Sequence, residues 1–136
     1  MTRKGNAVWT GGLKDGKGTV STETGVLSDQ QYNFSGRFES GPGTNPEELL
    51  GAAHAACFSM ALSGQLAEAG MTATRIATTA AVTMENATIT KVHLDVTVSI
   101  PNADTAAFEK AANNAKEGCP VSKLFNAEIT MDARLG

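Results

Sequence analysis

The sequence predicts an α+β protein in which antiparallel sheets pack on one long central helix, and three features of the chain carry that prediction. Apolar and polar residues alternate with a period of two between residues 75 and 100. A helical segment from Pro46 to about Ala69 is opened by proline and two acids and closed by Gly70. The first 43 residues are rich in Gly, Thr, Ser and Asn and hold only short β-favouring runs. The chain has 136 residues, which fits one domain over residues 1–136. A chain of that size buries roughly two-thirds of its unfolded surface and needs no metal or disulfide to fold.

Residues 7–10, 18–23 and 32–38 read as strands, with Asp15-Gly16 as a turn between the first two. Arg37 closes the third run, just before a loop of Gly41, Pro42 and Gly43. Thr44 or Asn45 then caps the long helix, Pro46 suits its first position, and Glu47 and Glu48 complement the dipole of its first turn. Its middle, LLGAAHAACFSMAL, is apolar or small on every face. Such a helix must be covered all round, and a one-sided sheet in so small a protein cannot do that. A second copy of the chain is the expected cover, with Gly51, Ala52, Ala53, Ala55 and Ala56 allowing close approach, so the predicted state is a homodimer.

In the alternating segment, Ile76, Ala80, Val82 and Met84 share one face. After a turn near Glu85-Asn86, Val92, Leu94, Val96, Val98 and Ile100 alternate with polar residues that include His93. That is a long hairpin with one wet face. A second helix follows Pro101, with Phe108, Ala111, Ala112 and Ala115 at core spacing, and ends at Gly118. Cys119-Pro120-Val121-Ser122 restarts a short turn, and Ala127, Ile129, Met131 and Ala133 alternate as a last strand.

A net charge of −3 gives no electrostatic reason to expect nucleic acid or an anionic membrane as partner. The N-terminal residues lack the apolar core of a secretory signal, and the apolar run over residues 49–62 is short for a bilayer span. A cytoplasmic location is expected. Thiols stay reduced there, so the two cysteines, Cys57 and Cys119, read as chemical rather than structural. They form no CxxC pair and no zinc-knuckle spacing.

As a small hydrophobe, Cys57 also suits a helix core. Cys119 follows a helix end and precedes Pro120, which places it near free backbone amides. Amides of that kind lower a thiol pKa and favour Cys119 as nucleophile, whereas Cys57 lies about three turns into its helix and needs a separate cation. Spacing alone leaves the choice between them open. Arg37 is the candidate cation, and Glu47 or its neighbour Glu48 the carboxylate that would orient it. Glu47 and Cys57 stand ten residues apart, roughly 15 Å along a straight helix, so Arg37 and Glu47 would reach Cys57 from a partner subunit or through a folded-back loop. His54 shares a helical face with Cys57 and could act as a base, although no acid that orients it is apparent.

The segments TNPEELLGAAHAACFSMAL (residues 44–62) and AKEGCPVSKLFNAEIT (residues 115–130) resemble the OsmC family of osmotically inducible proteins, relatives of the organic hydroperoxide resistance proteins. GKGTVSTETGVL and FSGRFESGPGTNPEELLGAAHAACF fit the same family, so the resemblance covers essentially the whole chain. It implies an intertwined homodimer and a cysteine-based peroxidase that reduces organic hydroperoxides to alcohols in oxidative or osmotic stress. It further implies that Cys57 is the reactive cysteine, Cys119 the resolving one that joins it in a disulfide, and Arg37 and Glu47 the residues that complete the site. No prosthetic group or metal is implied; the reductant is an external dithiol, with dihydrolipoyl groups suggested. Phe58 and Met60 are expected to wall an apolar substrate site. A non-enzymatic redox sensor and a binding module for a small hydrophobic ligand are the alternative functions.

Overall fold

The computed structural model describes residues 1–136 and divides them between two units, Met1–Leu49 and Leu50–Gly136, with the boundary inside the long helix. In the first unit, β1 (Gly5–Thr10), β2 (Lys17–Thr22) and β3 (Gln30–Tyr32) form an antiparallel sheet in that order. Its tight point is Gly18, the one buried residue of this unit. A Cβ there would come within 2.7 Å of the Trp9 ring and 2.5 Å of the Tyr32 ring. The two rings close over it with centroids 5.5 Å apart.

The expected third strand over residues 32–38 is only partly a strand. It stops at Tyr32, and α1 (Phe34–Phe38) follows, so Arg37 sits in a helical turn rather than at a strand end. Asn33 causes the switch: its side chain accepts the Gly36 N–H at 2.7 Å as an N-cap. Phe34 and Phe38 then meet at helical i, i+4 spacing, with ring centroids 4.9 Å apart.

The long helix α2 (Pro46–Glu68) is capped by Asn45, whose side chain accepts the Glu48 N–H at 2.8 Å. Gly70, at φ +78°, ends it, and the Met71 N–H returns to the Leu66 carbonyl at 2.8 Å. Gly51, His54, Phe58, Leu62 and Leu66 form one buried stripe. The other faces are bare, with Met60 79% exposed. α2 has 23 residues, and with a mean hydropathy of 1.2 over an 18-residue stretch it is long and apolar enough to cross a membrane, more than the shorter apolar run in the sequence suggests. Its buried stripe nevertheless packs with β-strand valines, as a core helix does.

The second unit holds β4 (Arg75–Glu85), β5 (Thr88–Ser99) and β6 (Glu128–Leu135), in that spatial order. Asn86 and Ala87, at φ 50° and 60°, form the two-residue turn between β4 and β5. Val92, Leu94, Val96 and Val98 are fully buried, and the core is completed by Phe108, Ala111, Ala112 and Ala115 of α3 (Thr105–Gly118). A short α4 (Pro120–Leu124) follows. Contrary to the expected antiparallel arrangement, β6 runs parallel to β5. Alternation along a strand does not encode its direction; the connection does. Here α3 and α4 carry the chain back to the end at which β5 began, which is the kind of crossover a parallel pair requires. On the wet face, the half-exposed His93 bonds Thr130 at 2.6 Å and Asp132 at 3.2 Å.

Candidate active site

Helix α2 lies close on β4. The Ser59 and Thr78 hydroxyls meet at 2.7 Å, and a Cβ on Gly51 would stand 2.9 Å from the Ala80 carbonyl oxygen. That approach fixes the helix carrying His54 and Cys57, which lie three residues apart on one face. From the other side, α3 ends at Gly118, and the Cys119 N–H still donates to the Ala115 carbonyl at 3.0 Å. Cys119 then serves as N-cap of α4, with Pro120 at the first helical position. Its sulfur accepts the Ser122 N–H at 3.4 Å and lies 3.4 Å from the Ser122 hydroxyl.

The structure brings the two thiols together, and both are free. Their environments act in opposite directions. Burial pushes the Cys57 thiol up and the Val121 amide pulls it down, but the neighbouring Cys119 raises it further. Burial also works against ionisation of Cys119. There it is outweighed by the Ser122 hydroxyl and amide, the Cys57 thiol and the Val121 amide, so the Cys119 thiol is held below its ordinary value.

His54 is completely buried, with Nε2 2.7 Å from the Ser122 Oγ and its ring against Phe125, centroids 5.3 Å apart. Burial lowers its pKa, so it is neutral at pH 7. Its Nδ1 has no partner. Nothing in the sequence marked Ser122 as part of this cluster. The signal available was its place three residues after Cys119, where a capped amide and a hydroxyl both reach the capping side chain.

In the first unit, Arg37 grips Glu47, with Nη2 2.8 Å and Nε 3.1 Å from Oε1 and Nε 3.3 Å from Oε2. Glu48 does not share in this pair and accepts the Thr44 hydroxyl at 2.7 Å instead. The Arg37 guanidinium also lies 5.2 Å from the Phe38 ring centroid. A cavity of about 300 Å³ is lined by Trp9, Leu13, Tyr32, Phe34, Phe38 and Arg37. Phe58 is fully buried in the core and Met60 is exposed on α2, and neither lines that cavity. Nowhere in the chain do three or more His, Cys, Asp or Glu side chains converge as a metal-binding group.

Residues 39–134 match the family of OsmC-like proteins. The chain is 55% identical over 137 aligned residues to Peroxiredoxin OsmC of Escherichia coli K12, covering 98% of this chain and 96% of that protein, and equally to Peroxiredoxin OsmC of Shigella flexneri. Among solved structures, an OsmC-like protein from Mycoplasma pneumoniae superposes with a TM-score of 0.77 at 13% identity, over 99% of this chain and 97% of that one. The organic hydroperoxide resistance protein OhrB of Bacillus subtilis does so with a TM-score of 0.66 at 24% identity, over 98% of each chain. The chain belongs to the family of OsmC-like proteins.

Proposed function

We propose that the protein is a thiol-dependent peroxidase that reduces organic hydroperoxides to alcohols through a Cys57 sulfenic acid and a Cys57–Cys119 disulfide. The observation that carries this reading is the adjacency of two free thiols, one on α2 and the other at the N-cap of α4. The 55% identity to proteins named Peroxiredoxin OsmC supports it.

In the first step the Cys57 thiolate attacks the distal peroxide oxygen. An S–O bond forms, the O–O bond breaks, and the alkoxide takes up a proton to leave as alcohol. Burial opposes that thiolate, so a cation is required. Arg37, oriented by Glu47, supplies it, either from a partner subunit or from its own chain. In the second step Cys119 displaces oxygen from the oxidised sulfur, and an external dithiol of the dihydrolipoyl type then restores both thiols by exchange. No prosthetic group enters this cycle. The cavity beside Arg37 is apolar enough to take an alkyl tail, which favours organic hydroperoxides.

The bare faces of α2 and the exposed Val8, Leu13 and Phe38 favour a homodimer, and the enzyme acts in the cytoplasm in defence against oxidative and osmotic stress. Turnover of cumene hydroperoxide with dihydrolipoamide tests the reading. Wild-type protein should consume many equivalents and Cys57→Ser none, while Cys119→Ser should accumulate the sulfenic acid. Consumption of one equivalent and then a halt would identify a redox sensor instead.

A further inference from the structure

The cycle described above leaves one buried titratable group without a task. His54 is 0% exposed and Ser122 6% exposed, and together they form a line from α2 through α4 to the Cys119 sulfur. A neutral imidazole carries one N–H, on Nε2 or on Nδ1. On Nδ1 it would be a buried donor with no acceptor, since that atom has no partner. On Nε2 it donates to the Ser122 Oγ at 2.7 Å and leaves only a bare lone pair unmatched, the less costly omission. The Ser122 hydroxyl then has one proton of its own to give, and the sulfur of Cys119, 3.4 Å away, accepts it when ionised. With Cys119 protonated the order reverses, and the thiol donates to Ser122.

We propose that His54 is a positioning residue for the second step: by donating to Ser122 it commits the serine hydroxyl proton to Cys119 and holds that sulfur as the thiolate that attacks oxidised Cys57. The inference rests on the two-cysteine cycle proposed above. In this step the Cys119 thiolate attacks the sulfenic sulfur of Cys57. The S–S bond forms, the S–O bond breaks, and hydroxide leaves and takes a proton from solvent to become water. The sulfenic sulfur is reduced and the Cys119 sulfur oxidised.

The low position of the Cys119 thiol despite burial agrees with this, the Ser122 hydroxyl being foremost among the groups that oppose the burial. His54 acts through a hydrogen bond and not through charge, because burial keeps it neutral. Cys57 on α2 is the ionisable side chain that acts on Cys119 directly. Lys116 and Lys123 flank Cys119 in sequence, and neither is among the groups that act on its thiol.

The test separates the two steps in full-length protein treated with one equivalent of cumene hydroperoxide. Dimedone trapping reads sulfenic acid at Cys57, and mass spectrometry reads the Cys57–Cys119 link, from mildly acidic to alkaline pH. Losing one charge-assisted hydrogen bond should move the pH midpoint of disulfide formation up by about one unit in Ser122→Ala. Below both midpoints the thiolate fraction falls about tenfold while its nucleophilicity rises about threefold, so the step slows about threefold; above both midpoints the variant is about threefold faster. A merely structural defect slows the step at every pH and gives no crossing. His54→Phe should shift the midpoint the same way, and His54→Gln, which keeps a side-chain donor, should return most of it. That second pair decides the matter if Ser122→Ala fails to fold. The proposal is overturned by an unmoved midpoint in Ser122→Ala and His54→Phe, or by a shift in His54→Gln as large as in His54→Phe. Absence of sulfenic acid at Cys57 in the wild type would instead overturn the peroxidase reading beneath it.

Discussion

Gly51 and Gly64 lie on the same helix, and alanine at the two positions should have opposite effects. Each substitution gains roughly 0.8–1 kcal/mol of helix propensity, since alanine loses less backbone entropy than glycine. At Gly64 a new Cβ meets nothing within 4 Å, so Gly64→Ala keeps that gain. At Gly51 the Cβ would stand 2.9 Å from the Ala80 carbonyl oxygen and 3.6 Å from a Val82 methyl. The first contact is with strand backbone, which cannot swing aside, so α2 must lift from β4 by a few tenths of an ångström. Overpacking of that kind costs about 1–3 kcal/mol. The clash wins, leaving Gly51→Ala about 1 kcal/mol less stable than wild type and about 2 kcal/mol below Gly64→Ala. Urea unfolding at one fixed protein concentration measures this, with equal slopes and shifted midpoints. The lift also moves His54 and Cys57 away from their partners on α4, so disulfide formation after one equivalent of peroxide should slow by about tenfold in Gly51→Ala. Equal stability of the two variants would refute the close approach of α2 to β4.

Two further predictions separate neighbouring groups. Glu47→Gln should lower kcat/KM for cumene hydroperoxide by about 10- to 100-fold, the worth of a hydrogen bond to a charged group, whereas Glu48→Gln, which touches Thr44 and not Arg37, should leave it within about twofold. Equal losses in the two would remove Arg37–Glu47 from the mechanism. Because burial lowers the pKa of His54 below 6.5, the unfolded chain binds a proton there before the folded one does. Stability therefore rises with pH through the window between the folded value and 6.5, and is lost as pH falls through it. Urea midpoints of wild type minus His54→Gln should show that slope; a pH-independent difference would mean that His54 is not buried neutral.

The parts of the fold legible in the sequence were those with a strong local signal. Val92 to Val98 alternate cleanly and are buried as that pattern requires. Phe108, Ala111, Ala112 and Ala115 recur at helical spacing and line α3. Pro46 and Gly70 bracket α2 to within a residue or two. What failed depended on information that spacing does not hold. The run over residues 32–38 offered Tyr32, Phe34 and Phe38 to either period, and the Asn33 cap decided for helix after Tyr32. The direction of β6 followed from the crossover and not from the strand's own residues. In the site, the sequence singled out both cysteines but could not rank them, since ranking depends on which amides and hydroxyls reach each sulfur. Ser122 escaped notice because one serine in a short turn looks like any other, and only the fold brings His54 to it, across sixty-eight positions of the chain.

The two thiols are also tuned against each other, and this has a consequence opposite to what losing a catalytic partner usually does. Cys119 holds the lower proton affinity of the pair, and its bond and charge are among the causes that raise Cys57. A single negative charge is shared between adjacent sulfurs, because ionising both at once would set like charges side by side. Removing Cys119 as Cys119→Ala should therefore lower the Cys57 pKa, although burial, the larger cause, stays in place. For each unit of that fall, below the midpoint, thiolate rises about tenfold and its nucleophilicity drops about threefold, a net gain of about threefold. Cys119→Ala should thus form the Cys57 sulfenic acid faster than wild type in a single turnover at neutral pH, while being unable to complete the cycle. Stopped-flow oxidation by cumene hydroperoxide, with a parallel ultraviolet titration of the remaining thiolate, measures both quantities. An unchanged or raised Cys57 pKa in that variant would mean that the sulfurs do not share charge in solution, and the order of ionisation argued from their surroundings would fall with it.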